Sequence, residues 1–125
     1  MATTCHGFTH VDGQAHFVAS GPTIEATPLS QVVGPARVFD LRGIAPNAAI
    51  DADYLATRNP GGAEGEILIL SAAWDKQRNN TTLAFWKDAP WLTRDAASWL
   101  NTLKPSAVAF DFPQDYPIRL LLEGK

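Results

Sequence analysis

All three histidines of the chain lie within eleven residues near its amino end, and an aspartate stands between the last two. They are His6, His10 and His16, with Asp12. Imidazole nitrogens and carboxylate oxygens are the usual protein ligands of Zn²⁺ and of Mn²⁺- or Fe²⁺-type ions. A chance cluster would rarely use every histidine of a 125-residue chain. This stretch therefore predicts a divalent-metal site.

The backbone must bring these side chains together. On an extended strand His10 and Asp12 leave the same face, about 6–7 Å apart at the backbone, so they can close on one ion. A straight strand puts His6 about 13 Å from His10, which is too far to share a metal. Gly7 and Gly13 stand where the chain has to bend. The alternative is one helix carrying His6 and His10 at i, i+4, but glycines disfavour it, so we expect a strand with bends.

The composition of the chain limits which class of protein it belongs to and which molecules it can bind. The chain has the length of about one domain, and 46% of its residues are hydrophobic. The net charge of −3, with both signs scattered, excludes the basic stripe of a nucleic-acid binder. Its one cysteine, Cys5, excludes an internal disulfide framework and fits a reducing compartment. Cys5 could also be a nucleophile or a ligand, although a small buried residue is more typical. With no membrane-spanning apolar run and no signal peptide, we expect a cytoplasmic protein without membrane contact.

Alternating apolar runs and helical periodicity predict a mixed α/β domain with some parallel pairing. Strands are predicted near 36–41, 66–71 and 107–111, and helices over 51–58 and 93–103, with Asp51 and Thr93 as N-caps. The segments 17–30, 43–50, 76–80 and 85–91 are predicted as turns or loops.

Several side chains near the strand ends are candidates for function. Trp74 follows the second strand, where ligands of such sheets tend to bind, so it is either a pocket wall or a core residue. Asp40 and Arg42 are expected to form a surface ion pair. Asp111 ends the third strand. Glu25 could reach a metal, although a solvated loop acid is more typical.

The histidine stretch resembles the signature H-x-G-T-H-x-D-x-P-x-H of the cyclase family of metal-dependent hydrolases, which includes bacterial kynurenine formamidases and isatin hydrolases. The matching residues are His6, Thr9, His10, Asp12 and His16. Gly34-Pro35, Trp74, residues 91–93 and residues 111–116 also look like family segments. Phe8 replaces the glycine of the signature and Gln14 replaces its proline.

The resemblance implies a single domain of the swivelling β/β/α type, with a mixed sheet and flanking helices. Residues 1–125 would form part of such a domain. Members of the family are longer at both ends, and their later portion supplies a histidine and a glutamate or similar group to the metal site. This chain has no histidine after His16. We therefore expect a chain that is truncated at both ends relative to the family.

The resemblance also implies the chemistry, which is hydrolysis of an amide-type C–N bond, as in an aryl formamide or a cyclic lactam, by metal-activated water. One or two divalent ions, Zn²⁺ or Mn²⁺, would be held by His6, His10 and Asp12. His16 would be either a ligand of a second ion or the general base.

Phe17 and Trp74 would border a flat aromatic substrate, and the protein would be a homo-oligomer, either a dimer or a tetramer. Two alternatives stay open for this chain. It could be a metal-binding domain without catalysis, or a scaffold fragment that binds no metal.

Overall fold

The computed structural model describes residues 9–113. Three 3₁₀ turns come first, at Gln14–His16, Ile24–Ala26 and Leu29–Gln31. The regular elements that follow are β1 (Ala36–Asp40), β2 (Ala49–Ile50), α1 (Ala52–Ala56), β3 (Ile67–Ser71), α2 (Trp74–Gln77), α3 (Leu83–Lys87), β4 (Trp91–Leu92), α4 (Arg94–Thr102) and β5 (Ala107–Phe110).

The main sheet contains the three predicted strands in the order β1-β3-β5, and both pairings are parallel. Ala36 lies opposite Ile67, which lies opposite Ala107 on its other side. The central strand β3 is nearly continuous apolar sequence, as expected of a parallel strand covered on both faces. The three strand predictions and the parallel pairing are confirmed.

Helices α1 and α4 pack against each other beside the sheet, and both begin at the predicted N-caps. Asp51 accepts a hydrogen bond from the backbone N–H of Tyr54 at 2.7 Å, and the Thr93 hydroxyl accepts one from that of Ala96 at 3.3 Å. Along α4, Ala96 and Leu100 are buried, as the helical spacing of its apolar residues predicts.

Four short elements overlap segments that were predicted as loops, and the loop predictions are wrong at the residues that these elements occupy. Strands β2 and β4 have two residues each and pair in parallel as a separate small sheet, with Ala49 opposite Trp91. Helices α2 and α3 have four and five residues. Elements this short contain little more than one hydrophobic period, so no repeated pattern in the sequence reveals them.

The core lies between the sheet and its helices. Phe39, Leu41, Leu68, Leu70 and Trp74 are among its fully buried members. The chain is thus a small mixed α/β domain with parallel sheets and flanking helices, as predicted. No helix within residues 9–113 is long and apolar enough to cross a membrane.

Candidate metal centre

The described part of the candidate metal stretch has no regular secondary structure until it turns after Gly13. Residues 9–13 pair with no strand, so the expected strand is wrong for the part of the stretch that the structure describes. Gly13 is extended, with φ −69° and ψ 151°, and the 3₁₀ turn Gln14–His16 follows it. The predicted bend after Asp12 is therefore made by a turn. His6 and Gly7, with the bend expected there, lie outside the described residues, as does Cys5.

Two glycines allow the chain to fold back beyond this turn. A side chain at Gly13 would bring its Cβ to 2.9 Å from the backbone nitrogen of Ile24. A Cβ at Gly21 would lie 2.9 Å from the carbonyl carbon of Gln14. The close approach lets the Ala15 N–H donate to the Pro22 carbonyl at 3.1 Å. Gly13 is thus required by packing and not by an unusual dihedral angle.

The structure brings His10 and Asp12 together. The Nε2 atom of His10 lies 3.7 Å from Oδ1 of Asp12, and about a third of each side chain is exposed. Two ligands at about 2.0–2.1 Å from a tetrahedral ion lie roughly 3.4 Å apart. The pair therefore fits two adjacent positions around one divalent ion, and both side chains are accessible from solvent.

His16 is not brought into a ligand set with this pair. It lies in the 3₁₀ turn, is exposed, and meets the ring of Phe17 edge to face, with 4.7 Å between the ring centroids. Within residues 9–113, no three His, Cys, Asp or Glu side chains are grouped so as to hold a metal ion. Glu25 accepts hydrogen bonds from its own backbone N–H and from Thr23, which lower the pKa of its carboxyl.

The two candidate substrate contacts lie in different environments. Phe17 is exposed, whereas Trp74 is fully buried and donates from Nε1 to the carbonyl of Phe85 at 2.8 Å. Trp74 is therefore a core residue, which is one of the two alternatives that the sequence left open. A groove of about 520 Å³ between α4 and β5, lined by Arg94 and Val108 among others, includes none of the predicted site residues.

Asp111, which follows the last residue of β5, links that strand to β3 through its carboxylate. Its carboxylate accepts hydrogen bonds from the Ser71 hydroxyl at 2.8 Å and from the backbone N–H groups of Ala72 and Ala73 at 2.8 and 2.9 Å. These bonds join the carboxyl ends of β3 and β5. They also hold Ala73 in the left-handed region, with φ 48° and ψ 47°, where non-glycine residues are uncommon.

These features define an α/β domain that carries a histidine–aspartate pair ahead of its first strand. The sequence model of the family described as "Putative cyclase" matches residues 1–114, and the chain belongs to this family. A solved protein described as a potential metal-dependent hydrolase with cyclase activity is similar over 88% of the chain, with 27% sequence identity and a TM-score of 0.71. The chain spans 50% of the length of that protein. No curated protein matches the chain.

Proposed function

We propose that this chain is part of a metal-dependent hydrolase that cleaves an amide-type C–N bond in a small molecule such as an aryl formamide or a cyclic lactam. The observation that carries the proposal is the His10–Asp12 pair, which has the separation of two ligands on one ion. Support comes from the cyclase family match and from the solved relative, whose description names a metal-dependent hydrolase with cyclase activity.

The metal would be Zn²⁺ or Mn²⁺, as one or two ions, held by His10 and Asp12 together with His6. When bound, such an ion polarises a carbonyl group and makes water more acidic. Asp12 offers two oxygens, so it can contact a second ion as well as the first. His16 would be either a ligand of that second ion or the general base.

As general base, the His16 imidazole takes a proton from the attacking water while the water oxygen bonds to the carbonyl carbon. The same imidazole then returns the proton to the departing nitrogen as the C–N bond breaks. Phe17 is adjacent in sequence and in ring contact with His16. An exposed aromatic ring at this place would border a flat aromatic substrate.

The proposal is tested by metal analysis and hydrolysis assays on the same preparations. Elemental analysis after dialysis against Zn²⁺ or Mn²⁺ should find one or two ions per chain. His10→Ala and Asp12→Ala should weaken metal binding by at least about 100-fold, since each removes a direct ligand. Glu25→Gln is the matched control, because it removes an exposed acid from the same segment. Metal affinity that is unchanged in both ligand variants would refute the site.

Hydrolysis separates the enzyme from its alternatives. Release of arylamine from an N-formyl arylamine, or opening of an aryl lactam, should depend on added metal and be lost in His10→Ala. Phe17→Ala should lower activity on aromatic substrates more than on aliphatic amides. Metal binding without hydrolysis would favour a non-catalytic metal-binding domain. A chain that binds no metal would be the scaffold fragment.

A further inference from the structure

The groove between α4 and β5 has the size and the lining of a small-molecule site. Its volume of about 520 Å³ lies within the range of about 300–1,000 Å³ that is usual for ligand sites. Most of its lining is apolar. These side chains come from β4, α4, β5 and the turn before β5, and they are Leu92, Ala97, Leu100, Pro105, Val108 and Phe110. We propose that this groove binds a small amphipathic carboxylate, which is a molecule with an apolar chain or ring and one carboxylate group.

The burial of neighbouring side chains shows that β5 is less well covered than β3 on the side of the groove. Val108 and Phe110 lie opposite Leu68 and Leu70 of β3, so all four side chains project from the same face of the sheet. Leu68 and Leu70 are 1% and 0% exposed, whereas Val108 and Phe110 are only half-buried. In the described part of the chain β5 is also an edge strand of its sheet. An apolar ligand in the groove would remove this apolar surface from water, which favours binding.

Arg94 determines the charge of the groove. Among the described residues that line it, Arg94 is the only one of the Asp, Glu, Lys and Arg types. Within residues 9–113 the ion pairs involve other residues, and the Arg94 guanidinium forms none. The neighbouring carboxylate of Asp95 is directed to α1, where it accepts a hydrogen bond from the backbone N–H of Ala52 at 3.0 Å. The guanidinium can therefore donate to a ligand, and a carboxylate is the group that matches its charge and shape.

One ligand can contact both Arg94 and the apolar lining. Arg94 and Asn101 both line the groove, and seven helical residues separate them by about 10 Å along the axis of α4. Ala97 and Leu100 lie between them at the spacing of one helix face. An acyl chain that lies along α4 would therefore place its carboxylate at Arg94 and its carbon atoms over Ala97 and Leu100.

Titration of the full chain with octanoate, followed by ¹⁵N NMR, tests this site. Metal is removed beforehand, so that the carboxylate cannot bind an ion at the His10–Asp12 pair and the result is independent of the proposed hydrolase activity. Octanoate should bind with a dissociation constant of about 1 mM. It should shift the backbone amide signals of residues that line the groove. Octanol and octylammonium, which have the same chain without the carboxylate, should bind about 10-fold more weakly, since neither pairs with the guanidinium.

Variants of α4 separate the carboxylate contact from the apolar contact. Arg94→Gln should raise the dissociation constant of octanoate about 10-fold and leave that of octanol unchanged, because it removes a hydrogen bond to a charged group. Arg94→Lys keeps the charge and should restore part of the affinity. Ala97→Glu should abolish octanoate binding, because a carboxylate three residues after Arg94 would pair with it and fill the groove. The matched control is Ser98→Glu, which adds the same charge at an exposed residue of α4 that does not line the groove.

Four results would overturn the proposal. They are no shifts with octanoate up to about 10 mM, ten times the expected constant, shifts confined to residues outside the groove, octanol binding as tightly as octanoate, and equal losses in Ala97→Glu and Ser98→Glu. A wild type that binds no octanoate and whose β5 amides exchange slowly with solvent would assign the groove to a polypeptide strand paired with β5. Circular dichroism melts of each variant show that loss of binding is not loss of fold.

Discussion

The three hydrogen bonds accepted by Asp111 give the sharpest prediction for the scaffold. Asp111→Ala removes the acceptor that joins the carboxyl end of β3 to that of β5. The backbone N–H groups of Ala72 and Ala73 would then lose their partner in a partly buried place. Since Ala73 is also held in a left-handed conformation, its turn would lose the contact that fixes it.

The size of the effect follows from those bonds. A hydrogen bond to a charged acceptor contributes about 1.5–3 kcal/mol, and three bonds to one group do not add fully. We expect Asp111→Ala to lower the free energy of unfolding by about 3–4 kcal/mol, near the upper limit for single substitutions. For a chain of 125 residues this is roughly a 10–15 °C fall in Tm. Ser71→Ala, which removes one of the three donors, should cost about 1 kcal/mol.

Urea unfolding followed by circular dichroism measures these differences, with Asp53→Ala as the control, because Asp53 is an exposed acid in the first turn of α1. That variant should stay within about 0.5 kcal/mol of the wild type. The double variant Ser71→Ala/Asp111→Ala and the single variant Asp111→Ala should have free energies of unfolding that agree within a few tenths of a kcal/mol. A loss below about 1 kcal/mol in Asp111→Ala would refute the view that this carboxylate holds the turn.

Three further predictions concern single residues of the same scaffold. Gly62 has φ 138°, and a Cβ there would enter the guanidinium of the buried Arg37, so Gly62→Ala should cost about 2–4 kcal/mol in urea unfolding. Ala73→Gly should be neutral or stabilise by up to about 1 kcal/mol, because glycine relieves the left-handed strain, and a clear loss of stability would contradict the strain. The Arg42 guanidinium, donating to Asp40, lowers the pKa of that carboxyl to about 2, so any stabilisation by this pair is present above the unfolded pKa of about 3.9 and is lost as the pH falls through 2. Carboxyl ¹³C NMR should show the Asp40 midpoint near 2 and its rise toward 3.9 in Arg42→Gln, and an unchanged midpoint would exclude Arg42 as the cause.

The main sheet and the two longer helices could be predicted because their residues carry strong local patterns. The run at 67–71 is apolar at nearly every position, as a buried parallel strand requires. Asp51 and Thr93 have the side-chain oxygens that cap a helix start, and both form that bond. The surface pair Asp40–Arg42 was also predicted and is confirmed: Asp40 ends β1, and Arg42 in the turn that follows donates to its carboxylate from the backbone N–H and from the guanidinium.

The remaining features depend on contacts between distant residues. The pairing of Ala49 with Trp91 is set by tertiary packing, as is the turn at Ala73, whose bond partner Asp111 lies 38 residues away. The path of the metal stretch was missed for a similar reason. Gly13 suggested a bend through its own flexibility, whereas its backbone is ordinary and its missing side chain makes room for Ile24. A sequence pattern does not show which distant atom will occupy that space.

The candidate site and the stability of the domain reside in different parts of the chain. The core extends from Phe39 to Phe112, whereas His10 and Asp12 precede it and are about a third exposed. Substitutions at such places usually change stability by less than about 0.5 kcal/mol. A loss of metal binding or hydrolysis in these variants can therefore be attributed to the ligands and not to unfolding. A loss of activity in a Trp74 variant could not be attributed in this way, because truncation would remove a fully buried side chain and its hydrogen bond to Phe85. An effect on substrate preference can therefore be interpreted at Phe17.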